Sequence, residues 1–512
     1  MVIVSVTMEV ALDEIPIFAG GLGVLEGDKF YAMSRTRTDY LVITLFHTKG
    51  YIDYEVKEQE VIRRPQDYFA KLVDKVLVPE RELIVKSSLL GEIRFRPLSY
   101  SKELAKVVYL KVEEPELAVK ASEGLYISDD YFQTLLKYLV LGKGASGYIK
   151  ERVGEENVEF VDLQESHSGL TALDLKERGK VRLIIHTPGP WGHPSVPREF
   201  MEKEYSISEE GSLTKIIMKR VGKVITVSKL HMDSTIRVFG MGEKTLYIRN
   251  GVDLERWTHG EIKRVVARKG EIGIEEFKKV RGKMRGEMES YIRAHKAVNL
   301  NKETMIISWA RRLTLYKRPY FVTRFIEEVG RELNAVFVLG GKAHPDDKVG
   351  LSFMKRFHEL EKKVNNVIYI YDYDLPDAKV VLSSSDLLLF TPFPRWEACG
   401  TSYMKAGING VLTLSSMDGG AIEVIEDDVN GFLFGRVLGE FINIYENEGK
   451  AKEIDEEDYR EFKSKLIKIY ERFEGDKEGF LEKGLRALMT FRKECSMENA
   501  LKKYYTHLHF DM

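Results

Sequence analysis

Short apolar runs rich in β-branched residues alternate along this chain with longer stretches that have helical spacing. Continuous runs of this kind are typical of parallel strands that are buried on both faces. They lie at residues 2–7, 41–46, 182–187 and 224–228, and then at 304–309, 335–339, 367–371, 386–390 and 411–415. The alternation predicts the α/β class, with two doubly wound, Rossmann-like domains facing a central cleft (the GT-B architecture).

The length of 512 residues also favours two domains over a single core. We predict an N-terminal Rossmann-like domain over residues 1–249, with an added β layer within 55–111. A second Rossmann-like domain is predicted over 250–484. Residues 485–512 should form a terminal helix that packs back on the N-terminal domain. Ligands of such sheets bind beyond the carboxyl ends of the strands.

The composition excludes several classes of partner and site. A net charge of -2 gives no electrostatic case for nucleic acid or an anionic membrane. No apolar run is long enough to span a bilayer. Two cysteines make no disulfide framework, and no Cys/His cluster has metal spacing. We therefore expect a cytoplasmic protein without a metal, from a hot environment. A homo-oligomer is compatible with the sequence.

Two motifs suggest anion binding. Gly20-Gly21-Leu22-Gly23 follows the first predicted strand and precedes a helix, where backbone amides attract anions. A tight turn without a ligand is the alternative. The basic block at residues 311–318 follows another strand and could neutralise a phosphate. A solvated basic face is equally compatible with its spacing.

Several further polar residues follow predicted strands. His186 lies in a loop made rigid by proline and glycine and could bond a sugar hydroxyl, while Trp191 could offer an apolar face to a sugar ring. Structural loop histidines remain the alternative for His186, His167 and His344. Asp372 and Asp374 share one face of an extended segment. Glycoside hydrolysis needs carboxylates that flank the scissile bond, so this pair does not indicate a glycosidase.

Lys405 is the most informative residue, because it stands eight positions after Glu397. Sugar transferases that use nucleotide donors commonly place a carboxylate there, where it can bind a ribose. An amine cannot accept hydrogen bonds from a ribose diol, but it can form a Schiff base with an aldehyde cofactor. The residue therefore favours pyridoxal phosphate over a nucleotide sugar.

Taken in order, these motifs resemble the α-glucan (glycogen or maltodextrin) phosphorylases, in their short prokaryotic form. The resemblance extends from Met8-Glu9 through the glycine loop, His186 and Asn250 to the basic block and Lys405. Its strongest part is Glu397-Ala-Cys-Gly-Thr-Ser-Tyr-Met-Lys405. Asp374, Thr314 and Tyr403 depart from the larger members of the family. Residues 417–431 are also similar to nucleotide-sugar glucan synthases.

The resemblance implies roles for individual residues. Lys405 would bind pyridoxal 5'-phosphate covalently. The cofactor would also be contacted by Gly400, Thr401, Ser402 and Arg311 at its phosphate, and by Tyr373 and Trp257 at its ring. The substrate phosphate would be bound by Arg312 and Lys317 with amides of Gly21, Leu22 and Gly23. The reacting glucose would be held by Glu397, Gly400, Asn250 and His186.

The function implied is that of an α-1,4-glucan phosphorylase, a hexosyltransferase that converts glycogen or maltodextrin and inorganic phosphate reversibly into α-glucose 1-phosphate, with retention. Its catalytic residues would be Lys405, Arg312, Lys317, Glu397 and His186. The first alternative is a retaining glucosyltransferase with a nucleotide-activated donor, such as a glucan or trehalose synthase. The second is a glucan-binding protein without catalysis on the same scaffold.

Overall fold

Apolar, β-branched segments supply the strands of two large sheets, one in each of two units of the chain. The computed structural model describes residues 1–57, 60–64, 66, 73, 75–508 and 510. Unit 1 consists of Met1–Ile52, Pro65–Asn250 and Ala500–Met512. Unit 2 consists of Asp53–Arg64 and Gly251–Asn499. Parallel strands alternate with helices in both, so the molecule is of mixed α/β class.

The large sheet of unit 1 has ten strands in the part of the chain that the structure describes. They are β1 Val2–Val6, β2 Tyr40–Leu45, β3 Val78–Pro79, β4 Leu83–Ser87, β5 Gly91–Lys102, β6 Ala105–Glu114, β7 Val158–Gln164, β8 Val181–Ile184, β9 Lys223–Thr226 and β10 Thr245–Tyr247. Seven run parallel in the order β10-β9-β8-β7-β1-β2-β6. The chain order reverses between β1 and β7.

The helices of unit 1 connect these strands. They are α1 Gly21–Met33, α2 Glu116–Ser122, α3 Tyr131–Tyr148, α4 Thr171–Asp174, α5 Arg198–Tyr205, α6 Leu213–Met218 and α7 Lys229–Phe239. Asp130 caps α3 and Ser228 caps α7 through side-chain oxygens that accept backbone N–H groups. Two short strand pairs, Val10–Ala11 with Pro16–Ile17 and Ser195–Val196 with Gly211–Ser212, complete the unit.

The sheet of unit 2 is parallel throughout. Its strands are β11 Met305–Ala310, β12 Ala335–Gly340, β13 Val367–Ile370, β14 Leu387–Phe390, β15 Leu412–Ser416 and β16 Phe432–Phe434. They are arranged as β13-β12-β11-β14-β15-β16, so the chain order reverses between β11 and β14. Strands β11, β12 and β14 are buried along their whole length, which explains why their sequences are continuously apolar.

Helices follow nearly every strand of this sheet, three more precede its first strand, and the last helix begins in unit 2 and ends in unit 1. They are α8 Leu254–Trp257, α9 Gly260–Lys269, α10 Ile274–His295, α11 Pro319–Glu328, α12 Lys348–Lys363, α13 Leu375–Ser384, α14 Ser402–Gly407, α15 Glu448–Gly475, α16 Lys477–Glu494 and α17 Met497–Tyr504. One apolar cluster packs α10 and α13 residues, including Met288 and Val381, against Ile306 and Val338 of the sheet.

The first half of the chain differs in two places from the sequence-based expectation. The hairpin of Asp53–Lys57 and Glu60–Arg64 falls within the predicted domain 1–249 but belongs to unit 2, where Tyr54 Oη donates to Ala343 O over 3.1 Å. Strands β3 to β5 extend the edge of the main sheet beyond β6 by antiparallel pairing and do not form a layer upon it. Parts of the predicted segment 55–111 lie outside the described residues.

The C-terminal segment Ala500–Met512 belongs to unit 1. Arg182 Nη1 donates to Tyr504 O over 2.9 Å, and Tyr505 Oη donates to Asp162 over 2.5 Å. Arg182 and Asp162 are themselves a buried ion pair on β8 and β7. A segment distant in sequence thus satisfies a charged pair inside the sheet. Residues 509, 511 and 512 of the predicted terminal helix lie outside the described part.

Candidate functional site

Arg311 and Glu397 follow β11 and β14, the two strands of unit 2 between which the chain order reverses. Arg311 Nη2 lies 2.6 Å from Glu397 Oε2, and Lys317 Nζ lies 3.6 Å from the same oxygen. The carboxyl ends of parallel strands beside such a reversal form a crevice in which α/β sheets bind ligands. The structure therefore brings three of the predicted site residues together in one charged cluster.

The charged side chains of this cluster shift one another's pKa values. Burial alone would raise the pKa of Glu397, but Lys317, Arg311 and Arg312 together hold that pKa below its ordinary value. Burial, assisted by Arg311, lowers the pKa of Lys317 to about 7. Glu397 is therefore ionised at neutral pH, whereas Lys317 is only partly protonated. Three cationic side chains beside one carboxylate leave positive charge for a further anion.

The Arg311 guanidinium is buried and only partly satisfied. Its Nη2 bonds Glu397, and its Cζ lies 4.0 Å from the centroid of the Phe390 ring. Nε and Nη1 have no hydrogen-bond partner among the residues that the structure describes. Leaving the N–H groups of a buried cation unpaired is costly. These two donors therefore fit an anionic group, such as the phosphate of a cofactor.

Lys405 lies on the short helix α14, and its amine is enclosed. Nζ donates to Thr401 Oγ1 over 3.1 Å and lies 4.0 Å from the centroid of the Trp257 ring. Lys405 is 6% exposed and Trp257 is 3% exposed. Asn409 Nδ2 donates to the carbonyl oxygens of both Trp257 and Lys405, over 2.9 and 2.8 Å. Asn409 thus fixes the amine and the indole relative to each other.

Glycine is required at the turn that carries Glu397. A Cβ at Gly400 would lie 2.7 Å from the Phe390 ring and 3.1 Å from Glu397 Oε1. Thr401 directly precedes α14, and Ser402 is its first residue. The predicted phosphate-contacting residues Gly400, Thr401 and Ser402 therefore lie between Glu397 and Lys405 on one tightly packed turn.

Tyr373 follows β13 and is half-buried against Gly340, where a Cβ would approach its ring to 2.8 Å. Its hydroxyl has no partner within the described part of the chain. Burial, with Asp377 and Asp374 nearby, raises the pKa of this phenol well above its ordinary value. The ring is therefore a neutral aromatic surface, as stacking on a cofactor ring would need.

Asp418 is a site-forming residue that the sequence did not single out. Its carboxylate accepts the backbone N–H groups of Arg395, Glu397 and Gly419, over 2.6, 2.8 and 2.7 Å. Gly419 has a φ of +49°, and a Cβ there would lie 2.0 Å from Glu397 O. Asp418 thus fixes the backbone that leads into Glu397. The Asp-Gly-Gly turn after β15 was the available signal.

The basic block divides into two kinds of residue. Arg312 is half-buried and hydrogen-bonds the Tyr316 phenol beside Lys317. Arg318 is fully buried and points elsewhere: it pairs with Asp458 over 2.7 Å and Asp455 over 3.1 Å. Arg318 also donates to the carbonyl oxygens of Thr391 and Pro392. Arg318 is therefore a structural cation, and the anion site involves the earlier cations of the block.

The remaining candidates in unit 2 have structural partners. Asp374 caps α13 in a capping box with Asp377, and Asp372 pairs with Lys342 over 2.8 Å. His344 Nδ1 accepts the backbone N–H of Asp346 over 3.1 Å, closing a turn. These contacts agree with the rejection of a paired-carboxylate hydrolase site.

In unit 1, the glycine loop starts α1 beside a buried carboxylate. Glu9 Oε2 accepts the N–H groups of Ala19 and Gly20, over 2.6 and 3.2 Å. A Cβ at Gly23 would lie 2.8 Å from that same oxygen, whereas at Gly21 it would meet no described atom within 4 Å. Gly23 is thus needed for packing. Gly21 is exposed and leaves its backbone open to a ligand, and Leu22 between them is half-buried.

His186 follows β8 and is bonded to the end of the neighbouring strand. Its Nε2 lies 2.8 Å from Gln164 Oε1, and its backbone N–H donates to Glu165 Oε1 over 3.1 Å. Lys29 Nζ also donates to Gln164 Oε1, over 3.3 Å. Burial, with Lys29 and His231 nearby, lowers the pKa of His186 well below its ordinary value. His186 is therefore a neutral imidazole at physiological pH.

Other polar residues of unit 1 are buried and uncharged in the same way. Burial raises the pKa of Glu165 to about 8 and lowers that of His167 to about 4. The His167 ring stacks on Tyr138 with centroids 4.9 Å apart. Asn250 is buried at the end of the unit's longest segment. His167 therefore has a structural role, whereas Glu165 positions the His186 backbone.

Neither a metal-binding cluster nor a membrane-spanning helix is found among the described residues. Among them, no three His, Cys, Asp or Glu side chains form a group that could hold a metal ion. No helix within the described ranges combines the length and apolar character that membrane crossing requires.

Comparison with known proteins shows which proteins this chain is similar to. Residues 260–508 match the sequence model of the carbohydrate phosphorylases. The maltodextrin phosphorylase of Thermococcus litoralis is 24% identical over 85% of this chain and 62% of its own length. The glycogen phosphorylase of Aquifex aeolicus is 30% identical over 41% of this chain and 31% of its own length. An uncharacterized protein of Methanocaldococcus jannaschii, MJ1631, is 24% identical over 81% of this chain and 84% of its own.

The chain thus spans less than two thirds of the length of those two named phosphorylases. The matched residues include the whole of the charged cluster and Lys405, all of which lie within 260–508. Through residues 260–508, just under half of its length, the chain is similar to the carbohydrate phosphorylases.

Proposed function

We propose that this chain is an α-1,4-glucan phosphorylase, which converts glycogen or maltodextrin and inorganic phosphate reversibly into α-glucose 1-phosphate. The observation that carries the proposal is the charged cluster of Arg311, Lys317 and Glu397 at the ends of β11 and β14. An excess of buried positive charge beside one fixed carboxylate suits a site for phosphate next to a sugar. The name of the Thermococcus litoralis relative supports the same reaction.

The finer fold belongs to the same proposal. In unit 2, the strand order β13-β12-β11-β14-β15-β16 has the 3-2-1-4-5-6 pattern of a doubly wound, dinucleotide-binding type of domain. In unit 1, the order also reverses beside the first strand. We therefore assign both units to doubly wound domains of the GT-B architecture.

Pyridoxal 5'-phosphate is the cofactor that fits the residues around Lys405. Lys405 would hold it covalently, with the rings of Trp257 and Tyr373 available for its pyridine ring. The two unpartnered donors of Arg311, together with Gly400, Thr401 and Ser402, would hold its phosphate. When bound, the cofactor supplies a phosphate group that shares a proton with the substrate phosphate.

The substrate phosphate is assigned to Arg312 and Lys317, with amides from Gly21, Leu22 and Gly23. Glu397, the Gly400 backbone, Asn250 and the neutral His186 are assigned to the glucose hydroxyls. The substrate phosphate gives its proton to the glycosidic oxygen as the bond from that oxygen to C1 breaks. A phosphate oxygen then bonds C1 on the same face, so the configuration is retained. The cations stabilise the phosphate charge throughout.

Incubation of the purified full-length protein with maltoheptaose and inorganic phosphate tests the proposal. We expect α-glucose 1-phosphate as the product and, from α-glucose 1-phosphate and maltodextrin, chain extension with release of phosphate. Arg312→Ala should raise the KM for phosphate at least about tenfold, because a charge-assisted contact is worth about 1.5–3 kcal/mol. Arg331→Ala, which removes an exposed cation whose side chain donates to Glu327 O, is the matched control.

Two results would contradict the proposal. Glucose transfer from a nucleotide sugar without phosphorolysis would favour the nucleotide-sugar glucosyltransferase. Glucan binding with no reaction in either direction, in protein supplied with pyridoxal phosphate, would favour the non-catalytic glucan-binding protein.

A further inference from the structure

Trp191 is a surface tryptophan in a chain whose other tryptophans are buried. Trp191 is 41% exposed, whereas Trp257, Trp309 and Trp396 are at most 3% exposed. A tryptophan at the surface offers a large apolar ring face that a ligand can cover. The residue lies in the same loop as His186, five positions further along the chain.

The loop holds the indole in one orientation. A Cβ at Gly189 would lie 2.8 Å from two carbons of the six-membered indole ring, so the ring packs directly on the glycine. Ser166 Oγ donates to Gly192 O over 2.7 Å, which fixes the backbone beside the indole. A flat ring supported on one side in this way loses little conformational freedom when a ligand covers it.

A further exposed aromatic residue is tied to the loop that carries Trp191. Tyr131, in the first turn of α3, is 52% exposed. Tyr131 Oη donates to Ser195 O over 2.7 Å, which ties this turn to the loop that follows Trp191. We call Trp191 and Tyr131 the aromatic surface.

The loop that supports this surface carries no charge. Residues 186–196 contain no Lys, Arg, Asp or Glu, although 31% of the chain is charged. His193 in this loop is neutral, because burial lowers its pKa to about 4. An uncharged loop with an aromatic face suits a neutral ligand with apolar ring faces and many hydroxyls. It does not suit nucleic acid or an acidic peptide.

We propose that the aromatic surface is an accessory binding site for the α-glucan chain, with Trp191 stacked on the C–H face of a glucose unit. Five residues of chain span at most about 18 Å, so Trp191 would contact a glucan whose reacting end is at His186. The inference rests on the proposed function for the identity of the ligand. It adds a contact that favours long glucans over short ones.

Tryptophan fluorescence tests the site without any turnover. In protein without phosphate, acrylamide should quench mainly the Trp191 emission, and maltoheptaose should reduce that quenching. Glucose at the same mass concentration should protect much less. Unchanged quenching with saturating maltoheptaose would overturn the inference, whether or not the protein is a phosphorylase. Protection in a protein that performs no phosphorolysis would uphold the site while the proposed function failed.

Variants give an independent readout. Trp191→Ala should weaken maltoheptaose binding, measured by titration calorimetry, about tenfold, which corresponds to about 1.4 kcal/mol. Trp191→Phe should retain most of the affinity, because an aromatic face remains. Tyr247→Ala removes an aromatic residue that is likewise 41% exposed, on β10, and should bind as the unaltered protein does. Equal affinity of Trp191→Ala and the unaltered protein would overturn the inference.

Discussion

Lys317 shows how a single side chain can be tuned by its neighbours. Its ammonium is buried beside Arg311 and only partly compensated by Glu397, so its pKa falls to about 7. Protonation is therefore incomplete at neutral pH, where the side chain is needed as a phosphate ligand. An incoming phosphate would favour the protonated form, so phosphate binding and proton uptake should be linked.

This linkage predicts a pH dependence of phosphate binding. As the pH rises above about 7, Lys317 loses its proton in the free protein and the KM for phosphate should increase. Lys317→Arg keeps its charge over this range, so the rise should be flatter in that variant. Steady-state kinetics from pH 6 to 9 measure the difference. Parallel curves for the two proteins would show that Lys317 does not bind phosphate.

Replacing Arg318 should lower the unfolding free energy more than replacing Arg312, although the two residues lie only six positions apart. Replacing Arg318 with Met would leave the buried Asp458 and the partly buried Asp455 without their cation, at a cost of about 3–5 kcal/mol. Arg312→Ala should change the unfolding free energy much less. Denaturant unfolding measures both, and Arg324→Ala, which removes an exposed ion pair with Glu456, is a control expected within about 1 kcal/mol. Equal losses for Arg318→Met and Arg324→Ala would contradict this division.

The sequence alone could not separate these arginines. Spacing places Arg311, Arg312 and Arg318 in one basic block after one strand, and their charges are identical. Their different roles depend on carboxylates far along the chain: Glu397 for Arg311, and Asp455 and Asp458 for Arg318. Lys405 was identifiable because its chemistry depends on residue type and on an eight-residue offset, both of which are local.

At the scale of elements, a buried lysine orders the segment that precedes α3. Lys137 Nζ donates to the carbonyl oxygens of Gly124 and Ile127, over 2.6 and 2.8 Å, and to Ser128 Oγ over 3.1 Å. Within this segment, Tyr126 Oη donates to Glu9, whose carboxylate also holds the glycine loop at the start of α1. One amine thus supports the backbone that positions a predicted substrate loop.

Burial lowers the pKa of Lys137 to about 7, from an ordinary value of 10.5. Between about pH 7 and 10.5 the unfolded chain therefore holds more of this proton than the folded protein. The contribution of Lys137 to the unfolding free energy should accordingly increase as the pH rises through that window. Lys137→Met should lose this increase. Denaturant unfolding at pH 7 and 9 provides the comparison, and an identical pH slope in both proteins would contradict the assignment.

Across the whole molecule, the nine predicted apolar runs all coincide with strands of the two sheets. An apolar run reflects the burial of one segment, which depends on the local sequence, so the strands could be predicted from the sequence alone. Which strands pair with each other depends on segments that are distant in sequence. The hairpin beginning at Asp53 precedes most of unit 1 in sequence, yet its partners are Ala343 and Lys342 in unit 2. Antiparallel β5 likewise joins the main sheet through a pairing with β6 that composition does not specify.

The candidate site likewise combines features that the local sequence predicts with features that only the fold determines. Residues of the charged cluster come from two strand ends that adjoin only because the chain order reverses between β11 and β14. The resemblance implies roles for these residues, whereas the roles of Asp418 and Gln164, which position Glu397 and His186, follow only from three-dimensional contacts.

Borohydride reduction of the purified protein, followed by peptide mapping, tests the central claim most directly. We predict a yellow protein in which reduction attaches a phosphopyridoxyl group to Lys405, while Lys405→Arg is colourless and inactive although the positive charge remains. A protein that forms α-glucose 1-phosphate at full rate with Lys405 unmodified, after exposure to pyridoxal phosphate and reduction, would contradict the account.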